Sequence, residues 1–162
     1  PFQGGGGMIR QVGRQASTWA DSPQKFEAGT PPVAEVCGLA AALEYVSDVG
    51  ILEIQKHEKE LTAHALNRFV EFSDLELYGP QETCDRTGVL SFNLRNVHPH
   101  DVAQVLDERG IAVRAGHHCT QILHEHLGVA ASVRMSFGIY NEVSEIDHVF
   151  STLDLARDIF LD

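Results

Sequence analysis

From Pro31 to Phe72 the apolar residues recur every three or four positions, and beyond Phe72 they break into short runs separated by glycine and proline. That change of period predicts two long amphipathic helices followed by brief strands with helices between them. Val33, Val36, Leu39, Ala40, Leu43 and Val46 form the first helical stripe, with Cys37 placed as a core residue among them, and Gly50 ends it. A second helix is expected from about Leu52 to Phe72, with Ile54, Leu61, Ala65, Leu66 and Phe69 inward and Lys56, Glu58, Lys59 and Glu60 on its solvated face. Strands follow at Leu75–Tyr78, Gly88–Leu94, Ile111–Arg114 and Ser132–Phe137. Short helices begin at His98-Pro99 and at Gln121, and a last helix covers about Ser144–Phe160, burying Ile146, Val149, Phe150, Leu153, Ala156 and Phe160. A few strands with helices on one face make an α+β layer.

Residues 1–31 read differently. They open in a glycine run, Gly4 to Gly7, and hold little beyond a short strand at Met8–Val12. A turn-rich segment with no apolar period normally packs on something else. With no initiator methionine ahead of it, the sequence is expected to be a piece of a longer protein. The predicted division is a segment 1–31 belonging to another, larger domain and a domain 32–162.

Composition narrows the functional classes. The 162 residues carry 12 Lys and Arg against 23 Asp and Glu, a formal charge of −11. So acidic a surface argues against nucleic acid and against an anionic membrane, both of which need a basic face. No apolar run is long enough to span a bilayer. Three cysteines, Cys37, Cys84 and Cys119, are too few for a disulfide framework and fit a reducing, cytoplasmic compartment.

Chemistry concentrates around Cys119. A strand, a glycine turn and two histidines, His117 and His118, lead into it, so its sulfur is expected in a polar-flanked loop, where a thiolate can be held. Arg114 ends the strand before this loop and Arg134 sits between Val133 and Met135 in the strand after it. Two guanidiniums facing one cleft could hold a small carboxylate. Gly29-Thr30 lies just ahead of the first helix, where backbone N–H groups and a hydroxyl suit a phosphate. Cys84, in the polar loop QETCDRTG, reads as a bystander. Nine histidines invite a metal, but no CxxC or HExxH spacing occurs and His124 and His126 point to different sides of a helix, so no metal site is expected.

Phe2-Gln3-Gly4-Gly5-Gly6, Phe26-Glu27-Ala28-Gly29-Thr30-Pro31, His98-Pro99-His100-Asp101-Val102, the run Gly110 to Cys119 ending RAGHHC, and Arg134 with Tyr140-Asn141 stand in one order. Together they resemble the C-terminal portion of the group II, SufS-like cysteine desulfurases, fold-type-I pyridoxal-phosphate enzymes of the class-V aminotransferase kind. The resemblance implies that this chain is mainly the small C-terminal domain of a homodimer, and that 1–31 belongs to the large cofactor domain and dimer contact. It implies that L-cysteine becomes L-alanine while its sulfur passes to Cys119 as a persulfide, for iron–sulfur cluster assembly. Arg114 and Arg134 match the substrate-carboxylate residues, His117 lies beside the reacting groups, and Gly29 and Thr30 match the segment that reaches the cofactor phosphate of the other subunit. A sulfur-acceptor protein of the SufE or SufU kind is the implied partner. His100 matches the residue thought to take over a zinc ligand when a zinc-containing acceptor docks.

The cofactor-binding lysine of the family, in a Ser-x-His-Lys motif, is absent. Only Lys25, Lys56 and Lys59 occur, none in that context. The chain alone is therefore expected to be inactive. Pro32 and Gly7 also depart from the usual residues. A selenocysteine lyase or cysteine sulfinate desulfinase of the same fold remains an alternative. A non-catalytic sulfur-relay or interaction domain is the alternative from another class.

Overall fold

The computed structural model describes residues 1–161, and the backbone falls into two compact units that part between Val49 and Gly50. In the first, β1 (Ile9–Val12) pairs antiparallel with β2 (Ser17–Trp19). The hairpin turns where the Gly13 N–H donates to the Ala16 carbonyl at 3.1 Å. A side chain at Gly13 would meet that oxygen at 2.4 Å, so the turn requires glycine. The sequence reading had only the first strand, because Ser17-Thr18-Trp19 is too short to show a period.

A 3-10 turn at Gln24–Phe26 leads to α1 (Val33–Val49). No residue of α1 is buried, and Val33, Val36, Leu39 and Leu43 are all exposed. Cys37, expected in a core, is exposed with them. Apolar spacing identifies an amphipathic helix but does not say what covers its stripe. This helix also groups with the N-terminal segment, whereas the sequence reading placed it at the head of a domain 32–162.

The second unit is a four-stranded antiparallel sheet in the order β3 (Leu75–Tyr78), β4 (Val89–Leu94), β6 (Ser132–Ser136), β5 (Arg114–Gly116). Three helices, α2 (Ile51–Val70), α3 (Pro99–Asp107) and α5 (Val143–Phe160), contribute to a single core with one face of that sheet, as the α+β reading expects. Leu90, Phe92 and Leu94 of β4 and Val133 and Met135 of β6 supply the sheet side. Phe69 of α2 meets Phe92 and Phe150 edge-on, with ring centroids 5.2 and 5.1 Å apart. Such rings add to the burial energy through favourable edge-to-face contact.

Alternation sends the intervening residues to the opposite face. Ser91, Ser132 and Arg134 therefore stand away from this core, and α4 (Gln121–Leu127) lies among them through His124. The β5 ladder starts at Arg114 rather than at Ile111, because residues 111–113 make no ladder bond to β6. Phe160, expected buried, is 44% exposed as the last residue of α5. The start of α5 is fixed by a capping box between Glu142 and Glu145, with Asn141 Nδ2 donating to Glu145 at 2.9 Å. These contacts hold the Glu145 carboxyl below its ordinary range, first through Asn141 and then through the Glu142 N–H.

Candidate active site

The strand β5 ends at Gly116, whose φ of +136° lets the chain leave the sheet sharply. His117 to Thr120 then form a tight turn closed by the Thr120 N–H donating to the His117 carbonyl at 2.8 Å. The two central residues, His118 and Cys119, have φ of +52° and +62°. Two positive φ angles are the signature of a type I′ turn, which ordinarily takes Asn and Gly. For side chains with a Cβ the left-handed region costs roughly 1–2 kcal/mol per residue. Cys119 thus sits exposed at the centre of a strained turn. Strain of this kind is kept where a side chain must be presented in one direction.

Thr120 strengthens the turn, its hydroxyl also donating to the His117 carbonyl at 2.7 Å. His117 itself is exposed, with its ring 5.5 Å edge-on from that of His124. His118 tucks inward toward Ser132, and burial pushes its pKa below the ordinary 6.5, helped by the nearby charges of Arg134 and Arg114.

On the open face of the sheet Arg114 of β5 and Arg134 of β6 are direct cross-strand partners, and Ser91 of β4 continues the row. Like charges placed opposite each other destabilise a strand pair. Among the described residues neither arginine has a carboxylate partner, and the buried Nε of Arg134 has no hydrogen bond at all. An arrangement of that sort leaves donors free for an anion. Arg134, His118, His124, Ser91 and Arg86 line a concavity of about 530 Å³ on this face. Its rim is the loop 79–88, which Arg86 holds by donating to the carbonyls of Tyr78, Pro80 and Val89.

Gly29 and Thr30 belong to the other unit. The glycine run bends back on them: the Gly29 N–H donates to the Gly6 carbonyl at 2.9 Å, and a Cβ on Gly5 would come within 2.7 Å of the Gly29 nitrogen. Gly29, at φ +94°, therefore makes the turn and spends its own N–H inside the segment. Thr30 follows it exposed, its hydroxyl free of any hydrogen bond among the described residues. Of the two, Thr30 is the group that can reach an outside phosphate.

His100 stands apart from the concavity, exposed in the first turn of α3, with its ring stacked on His98 at 5.2 Å and its N–H donating to His98 Nδ1 at 3.3 Å. Among the described residues no three His, Cys, Asp or Glu side chains gather as a metal would need. Sequence reasoning missed Ser132 and weighed His124 only as a metal ligand. Ser132 could have been found by period two, since it shares the Arg134 face of β6.

The Aminotransferase class-V family model matches residues 1–149. A cysteine desulfurase of Haloferax volcanii is 52% identical over 160 residues, which are 99% of this chain and 37% of the relative. Among solved structures, the Escherichia coli cysteine desulfurase CsdA, in an S-sulfonic acid form, superposes with a TM-score of 0.86 at 35% identity, covering 99% of this chain and 39% of that one. An apo cysteine desulfurase from Thermococcus onnurineus NA1 gives the same TM-score and identity over 95% of this chain and 38% of its own. The chain thus spans under two-fifths of the length of these relatives.

Proposed function

Because the chain belongs to the aminotransferase class-V family, we propose that it is the C-terminal portion of a cysteine desulfurase, with Cys119 as the thiol that takes sulfur from L-cysteine. The observation that carries this reading is the turn at His118-Cys119, which exposes a thiol at the end of the strand bearing Arg114.

The fit to pyridoxal phosphate is partial. Thr30 offers a free hydroxyl on a glycine-built segment, but Lys25 stacks over Phe26 and Lys56 and Lys59 lie on the outer face of α2, so no lysine here is placed to anchor the group. When bound, it would supply an electron sink for the amino acid, and the residues gripping it covalently lie beyond this chain. Thr30 would reach its phosphate across a homodimer.

Arg134 and Arg114 hold the substrate carboxylate, placing the side chain of the amino acid toward the turn. An arginine pair fixes both position and angle, because each guanidinium can offer two parallel donors. The Cys119 thiolate then attacks the substrate sulfur. A sulfur–sulfur bond forms as the carbon–sulfur bond breaks. The electron pair of the broken bond stays with carbon, which takes up a proton and becomes the methyl group of alanine. His117, exposed beside the turn, can hand over or receive such a proton at its ring. The persulfide on Cys119 passes to an acceptor protein, for which His100 at the exposed start of α3 is the docking residue. The protein works in a reducing, cytoplasmic setting in keeping with its three free thiols. Residues 1–31 contribute to the large domain and dimer contact, and the four-stranded unit from Gly50 onward belongs to the small domain.

The test is alanine release from L-cysteine by the full-length enzyme with a thiol acceptor present. Wild type should turn over and Cys119→Ala should not. Equal turnover by the two would remove Cys119 from the chemistry.

A further inference from the structure

Behind the Cys119 turn lies a row of groups that the chemistry above does not use. His118 Nε2 is 3.1 Å from the Ser132 carbonyl oxygen and 3.1 Å from Ser132 Oγ. On the far side of that hydroxyl, His124 Nε2 is 3.0 Å from Oγ. His124 is 4% exposed, and its Nδ1 is 3.0 Å from the Thr120 carbonyl.

The protons follow from the acceptors. A carbonyl only accepts, so His118 donates through Nε2 and His124 through Nδ1. His124 Nε2 is then a lone pair and accepts the Ser132 hydroxyl proton. His118 Nδ1 is left as a lone pair, buried and without a partner. A proton added there would put a charge in a buried place facing Arg134 of β6, Arg114 of β5 and His124 of α4, and burial with these charges lowers the pKa of the ring.

His118 is also the first of the two residues with positive φ. The tether and the strain therefore fall on the same residue. Unfavourable backbone angles persist only where the surroundings hold them. The hold here is a ring bonded to β6, the strand that also carries Arg134. One strand thus sets the place of both the anion-binding side chain and the thiol.

We infer that His118 is a positioning residue: bonded to Ser132 through Nε2, with His124 fixing the Ser132 hydroxyl from behind, it holds the left-handed turn that presents Cys119 to the substrate sulfur. This rests on the reading of Cys119 as the sulfur-accepting thiol. It assigns the turn's geometry to His118 and leaves His117 as the exposed proton carrier.

The experiment uses the full-length enzyme and follows persulfide on Cys119 in a single turnover, alongside the change in cofactor absorbance as L-cysteine binds. His118→Ala should slow persulfide formation roughly ten- to hundredfold, the effect of a misplaced reacting atom, while substrate binding stays as in wild type. His118→Gln, whose amide can donate to Ser132, should recover most of the rate. A wild-type rate for His118→Ala overturns the inference, as does a loss confined to substrate binding or a Gln variant as slow as the Ala variant. If His118→Ala does not fold, Ser132→Ala carries the test. It keeps the carbonyl but removes the hydroxyl between the rings, and should slow the step roughly three- to tenfold, the worth of one hydrogen bond. A wild-type rate for Ser132→Ala would then overturn the inference. Failure of the underlying reading looks different: wild type itself would release alanine with no persulfide on Cys119.

Discussion

Arg114 and Arg134 face each other directly across β5 and β6, and among the described residues neither is neutralised by a carboxylate. The sheet carries two like charges in register where it could have carried a pair, which disfavours the strand pairing. In the full-length enzyme, Arg134→Ala should raise the KM for L-cysteine by roughly ten- to a hundredfold, the loss of charge-assisted hydrogen bonds. Steady-state kinetics on cysteine check it, and an unchanged KM would mean the carboxylate is held elsewhere.

The approach of Gly5 to Gly29 gives a test of the proposal that Thr30 reaches the cofactor phosphate. A methyl group at Gly5 would lie 2.7 Å from the Gly29 nitrogen, whereas one at Gly4 or Gly6 would meet nothing within 4 Å. Gly5→Ala should displace the Gly29–Thr30 turn and weaken cofactor retention by about tenfold, in line with the usual destabilisation from a misfitted methyl. Gly4→Ala should retain cofactor as wild type does. Titration of the apo full-length enzyme with pyridoxal phosphate, read by absorbance, separates the two.

The buried side of His118 has a consequence for stability. Its folded pKa is lowered, by burial first and by Arg134, His124 and Arg114 after it. Below the ordinary value of 6.5 the unfolded chain therefore binds a proton that the folded chain refuses. The stabilisation is complete above pH 6.5 and is lost as pH falls toward and through the folded value. His118→Gln should flatten this fall. Urea midpoints taken between pH 7.5 and 5 on both proteins measure the difference, and parallel curves would count against a neutral buried ring.

In the core, Phe92 is fully buried and stacks edge-on against Phe69, while Phe160 is 44% exposed. Phe92→Ala should cost about 3–5 kcal/mol, the usual penalty for emptying an aromatic core site. Phe160→Ala should stay within about 0.5 kcal/mol, as surface changes do. Denaturant unfolding of the two variants decides whether α5 is anchored by its middle, as the burial pattern has it.

Much of this was legible in the sequence because the signals were local. β-branched and aromatic residues announce β4, and Arg134 stands out as the one charge between Val133 and Met135 of β6. Glycines mark the ends of α1 and α4, and the RAGHHC run marks the thiol loop. What stayed hidden depends on contacts between distant residues. Nothing near Ser132 says that its hydroxyl sits between His118 and His124, because that meeting is made by the return of α4 over the sheet. Likewise the stripe of α1 looks like a core stripe, and Cys37 like a core cysteine, because periodicity records one side of a contact only. The bond from Gly29 to Gly6 joins two glycine segments that read separately as loops.

The measurement closest to the central claim is the mass of the Cys119 peptide after one turnover. The full-length enzyme is mixed with L-cysteine and no acceptor, the reaction is trapped by alkylation, and the peptides are weighed. Cys119 should carry one additional sulfur atom, with Cys37 and Cys84 unmodified and one alanine released for each persulfide. Alanine released with Cys119 unmodified, or sulfur found on Cys84 instead, would contradict the assignment of Cys119 as the sulfur-accepting thiol.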